Sequence, residues 1–136
     1  MTDQEIQDGN KLVAEFMGAF LIYFTDRSNE TSQVWMSEDN LLSGGQSLKG
    51  NSINGLKFHS SWDWLMPVVE KIESLGFQFD ILGRKLEFSN ERIYCIWLWD
   101  DEQKIHIECP EADSKIEAVY LGGIEFIKWY NKNKEL

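Results

Sequence analysis

The chain has 136 residues, 23 acidic and 13 basic side chains and a net charge of −10. A hydrophobic fraction of 43% suffices for a core without disulfide staples and sets disorder aside. The charge excludes a nucleic-acid groove, which needs clustered Lys and Arg, and an anionic membrane; it suits a basic protein partner attracted over long range.

In chain order, residues 1–9 are polar and acidic, which predicts a frayed N-terminus and no signal peptide. Asn10 can cap a short helix in which Leu12, Val13, Phe16 and Met17 share a face and Gly18 stops the turn. The aromatic and branched run Ala19–Phe24 reads as a buried strand, and Ser32–Met36 as its antiparallel return. Residues 37–55, with Gly44-Gly45, Gly50-Asn51-Ser52 and Asn54-Gly55, predict a long flexible loop without a phosphate-binding pattern. Leu56-Lys57-Phe58 adds a short strand before the next helix.

That helix is the strongest pattern in the chain. Ser60 or Ser61 can cap it, Asp63 suits its positive end, and Gly76 fits the left-handed residue beyond its C-terminus. Trp62, Leu65, Met66, Val69 and Ile72 keep the helical period, with Trp64, Val68 and Leu75 widening the stripe. Glu70, Lys71 and Glu73 mark the wet side, and Pro67 predicts a kink. The two tryptophans read as core, and the helix as the scaffold on which the C-terminal sheet and the last helix pack.

After Gly76 the period falls to two. Phe77, Phe79 and Ile81 point one way and Gln78 and Asp80 the other; Gly83-Arg84 predicts a turn into Lys85–Phe88. Arg92–Trp99 is apolar on both faces, a central strand, followed by a hairpin loop over Asp100–Gln103 and a strand over Lys104–Cys109 with its isoleucines inward. Asp113 or Ser114 caps the last helix, with Glu117 placed for a capping box. Its core stripe is Ile116, Val119, Tyr120, Gly123, Ile124, Ile127 and Tyr130, leaving Leu121, Phe126 and Trp129 off it.

Chemistry is sparse. His59 with Asp63 is an acid–base pair without a nucleophile motif. Cys95 and Cys109 read as buried hydrophobes in a reducing compartment. No closely spaced ligand set predicts a metal, and no motif predicts a cofactor. The acidic set Asp100, Asp101, Glu102, Glu108, Glu111, Asp113 and Glu117 is the candidate binding surface, its plain alternative being a solvated rim.

Three stretches, Asn10–Gly18, Ser61–Glu73 and Ile124–Asn131, together resemble a family of short bacterial proteins of unknown function, often found in phage or mobile-element neighbourhoods. The resemblance implies a coherent fold and a mobile-element origin but transfers no catalytic residue.

The reading is one α+β domain, residues 1–136, with an antiparallel sheet of four to six strands and three helices, two on one face. The leading functional expectation is a cytoplasmic, non-enzymatic protein-binding factor, an inhibitor of counter-defence type or an accessory protein, meeting a basic partner through its acidic surface. Two alternatives stand beside it: a small enzyme built on His59 and Asp63, and a toxin-immunity type inhibitor.

Overall fold

The computed structural model describes residues 1–25, 31–36, 41–42, 46–47, 51–52 and 56–134, with side chains for 1–19 and 56–134. The elements run α1 (Asp3–Phe16), β1 (Phe20–Thr25), β2 (Thr31–Met36), β3 (Leu41–Leu42), β4 (Gln46–Ser47), β5 (Asn51–Ser52), α2 (Trp62–Ser74), β6 (Phe77–Lys85), β7 (Arg92–Asp100), β8 (His106–Ile107) and α3 (Lys115–Asn133). The class is α+β, with three helices among the described residues. The described strands do not join into a single sheet of four to six. Among the described residues β1-β2-β5, β3-β4 and β6-β7-β8 are separate sheets. The Ala19–Phe24 and Ser32–Met36 runs pair with each other, Phe20 opposite Met36 through Thr25 opposite Thr31, and do not extend the C-terminal sheet. Of the expected 37–55 loop, the described residues are three two-residue strands, β5 pairing with β2; the rest of it lies outside the described residues.

The N-terminal helix starts at Asp3, well before Asn10. Thr2 is the cap: its hydroxyl accepts the Glu5 N–H at 3.1 Å and donates to the Glu5 carboxylate at 3.1 Å. This Thr-x-x-Glu arrangement, with Asp3 and Glu5 in the first turn, holds the terminus that composition alone assigns to fraying. Asn10 lies inside the helix and is buried. At the far end, the Lys71 ammonium donates to the Phe16 carbonyl and sits 4.4 Å over the Phe16 ring. Lys71 is therefore half-buried, not on a wet face, and burial, then the Lys134 charge, lowers its pKa.

In α2 the buried stripe is Trp64, Leu65, Val68, Val69 and Ile72, while Trp62, Met66 and Leu75 are exposed. The apolar period is as expected, but the inward face is turned. Phe58 fixes it: Trp64 packs edge-on against that ring at 5.2 Å. Phe58 and Leu56 are buried without forming the expected strand. Ser61 occupies the cap position without a capping side-chain bond, and the helix is continuous through Pro67. The amide lost at Pro67 would have met the carbonyl of Asp63, an exposed residue where water can serve instead. Gly76 follows at φ 93°, the left-handed stop the sequence predicts.

The C-terminal sheet is a meander with β7 at its centre. The expected turn at Gly83-Arg84 is absent, and β6 continues to Lys85, paired with Arg92. Gly83 lies opposite Tyr94, where a side-chain carbon would sit 2.8 Å from the ring; the glycine makes room for an aromatic instead of turning the chain. The turn comes at 86–91, with Phe88 exposed at φ 63°. β8 has only two residues: Ile107 is buried, but Ile105 lies exposed in the preceding loop.

Phe77, Phe79, Ile96 and Leu98 give the sheet a buried inner face. Both α2 and α3 pack on this sheet, and α3 also contacts α1 and α2. Thus α3, not α2, is the element that every other layer of this region touches. Ser114 caps it by accepting the Glu117 N–H at 3.3 Å, as the pattern predicts. Phe126, expected off the core stripe, is fully buried.

Candidate functional site

His59 does not join Asp63. Its Nδ1 lies 3.0 Å from the Asn10 amide nitrogen, which also donates to the Leu56 carbonyl at 3.3 Å. The imidazole edge meets Tyr120, with ring centroids 6.1 Å apart, and the Tyr120 hydroxyl donates to the Ile6 carbonyl at 3.2 Å. Burial lowers the His59 pKa and raises that of Tyr120, so both rings are held neutral. A neutral Nδ1 accepts from Asn10; a protonated one would set N–H against N–H. Asp63 is exposed on the first turn of α2. The geometry makes this cluster a tie between α1, the 56–61 segment and α3, not an acid–base dyad.

The tie has a definite pH dependence. A histidine with a depressed folded pKa contributes stability above its unfolded value of 6.5, and that contribution is lost as pH falls below it. The urea midpoint of the wild type should therefore exceed that of His59→Gln at pH 7.5, and the gap should shrink toward pH 5. A gap that stays constant over this range would show that His59 is not held neutral.

The acidic residues fall into two groups. Asp100 pairs with Phe77 at one end of the sheet, and the Asp101 N–H donates to the Gly76 carbonyl there. Glu111 and Asp113 flank Ala112, which bridges to Tyr94, six residues before Asp100 on β7. At strand rise that separation is about 20 Å. Asp100 is structural: its Oδ1 accepts the Lys104 and Ile105 N–H groups at 2.6 and 2.7 Å, shaping the loop. Glu102 pairs with Lys104 at 3.0 Å and Glu111 with Arg84 at 3.4 Å, all of them exposed. Asp101, Glu108 and Asp113 are exposed, and Glu117 lies half-buried in the first turn of α3.

Between the two acidic groups lies the outer face of the sheet. The strand alternation puts Ile93, Cys95, Trp97 and Trp99 of β7 on it, opposite Arg84, Leu82, Asp80 and Gln78 of β6. Trp97 is 50% exposed and Leu82 39%. Trp99 is half-buried under His106, its neighbour on β8, with the two rings stacked at 4.4 Å. Two clefts open here. One, of about 430 Å³, runs past Leu82, Ile93, Cys95 and Trp97 toward the Arg84–Glu111 pair; the other, of about 450 Å³, is lined by Gln78, Asp80, Trp97, Trp99 and Gln103. Reading Arg92–Trp99 as apolar on both faces hid this surface. The signal was in β6, where Gln78 and Asp80 mark the wet side of any strand paired with it.

Cys109 donates to the Ile107 carbonyl at 3.6 Å, and burial, then the charges of Glu125 and Cys95, pushes its thiol up to about 12. Both cysteines are free and half-buried, not the fully buried pair the sequence predicts. Among the described residues no three His, Cys, Asp or Glu side chains converge as metal ligands, and no helix is long and apolar enough to cross a membrane. No family model, curated protein or solved structure matches the chain.

Proposed function

We propose that the chain is a non-enzymatic protein-binding factor, of inhibitor or accessory kind, whose acidic exterior meets a basic partner. The reading is supported above all by the outer face of the β6–β7–β8 sheet: exposed Trp97 and Leu82, bordered at both ends by carboxylates. Apolar patches with a charged rim are the usual anatomy of a protein interface. The net charge of −10 adds attraction to any cationic partner. The resemblance to proteins of phage and mobile-element neighbourhoods agrees with an inhibitor, and the pairing of His59 with Asn10 speaks against an acid–base enzyme.

Affinity capture from the host tests it. Asp101, Glu102, Glu108 and Asp113 are exchanged together for Lys, leaving Asp100 in place because its carboxylate orders the loop. The variant should keep its thermal midpoint within a few degrees and lose the captured partner. Recovery of the same partner in the same amount would exclude the acidic exterior as the contact.

A further inference from the structure

We propose that the outer face of the β6–β7–β8 sheet takes an arginine side chain of a protein partner in the cleft lined by Trp97 and Trp99, with Asp80 as its counter-ion; this rests on the protein-binding reading above. Trp97 and Trp99 are two residues apart on one face of β7, so their Cα atoms are separated by about 7 Å. His106 on β8 stacks on one face of Trp99, so the other face is turned toward Gln78 of β6, its partner on the opposite side, within the cleft that both residues line.

Asp80 stands directly across from Trp97 in the register. It is exposed, and no hydrogen bond or ion pair holds it among the described residues. The cleft therefore presents two indole rings, one unpaired carboxylate and the amides of Gln78 and Gln103. The loop that carries Gln103 is set by its N–H to the Asp100 carbonyl at 2.8 Å and by a φ of 59° at Gln103 itself.

Arginine fits this set better than lysine. Its guanidinium is planar, weakly hydrated and able to stack on an aromatic face while forming two bonds to a carboxylate. A phosphate backbone is repelled by Asp80 and the hairpin carboxylates. A neutral sugar can stack on tryptophan and bond to the glutamines, but it gains nothing from the overall charge, whereas a cation does.

The test is a titration of the ¹⁵N-labelled full chain, followed at the indole N–H signals, with a pentapeptide carrying two arginines. The Trp97 and Trp99 signals should shift saturably. The same peptide with citrulline in place of arginine should leave them unmoved. Asp80→Asn and Trp97→Ala, both at exposed positions, should each weaken the apparent Kd about tenfold, the scale of one desolvated cation–π or charge-paired contact. Unmoved indoles with the arginine peptide, or equal shifts with citrulline, overturn the proposal. So does a shift caused by cellotetraose alone, which would assign the face to sugar. Should the arginine peptide fail while the lysine-exchanged rim variant still loses its partner, the arginine site falls and the protein-binding reading stands.

Discussion

Phe126→Ala is expected to cost about 3–5 kcal/mol of stability, the range for removing a fully buried phenylalanine. Phe126 is where the layers meet. Its ring contacts Phe77 edge-on at 4.9 Å, Phe16 edge-on at 5.9 Å and Tyr130 in a stack at 5.8 Å, with Trp129 tilted beside it at 6.0 Å. One side chain thus joins β6, the C-terminus of α1 and two turns of α3. Those neighbours are held by their own backbones, so they cannot collapse fully into the space left by truncation. Urea unfolding followed by far-ultraviolet circular dichroism measures the loss. Phe126→Leu, which keeps most of the volume, should cost clearly less. A loss below about 1 kcal/mol for the alanine variant would mean that the ring cluster is not the junction of the fold.

Local signals were legible where they are satisfied locally. The Ser114 cap, the Gly76 stop and the inward Phe77 and Phe79 all arise from residues a few positions apart. The Thr2–Glu5 cap was equally local and was hidden by the acidic composition around it. The failures are long-range. Period alone cannot choose between Trp62–Met66 and Trp64–Val68 as the inner edge of α2, because both are apolar; Phe58 makes the choice. Phe126 looked peripheral because a stripe drawn on α3 assumes one neighbour, and α3 has neighbours on several sides. The candidate surface divides the same way. The carboxylates were readable as charges, but their separation into two groups depends on the Ala112–Tyr94 bridge, and the aromatic face depends on the β6–β7 register.

Gly122→Leu is expected to cost about 3 kcal/mol or more, at or above the upper end for overpacking a core. Helix propensity alone predicts the opposite sign, since glycine inside a helix is disfavoured by about 1 kcal/mol. Packing wins here because α3 lies against β7 at Gly122. A carbon placed on that glycine would meet Ile96 Cγ1 at 2.6 Å and its Cβ at 2.9 Å. Ile96 is 2% exposed and β-branched, so it has neither room nor rotamers to move aside. The helix must lift off the sheet or the strand must bend. Ile96→Ala alone should cost about 2–5 kcal/mol through the cavity it leaves. In the double variant the new leucine enters that cavity, so the combined loss should fall short of the sum of the single losses by about 1–3 kcal/mol. Urea denaturation of the four proteins closes the cycle. Additivity within about 0.5 kcal/mol would show that the helix–sheet contact at this glycine does not set the spacing of the two layers.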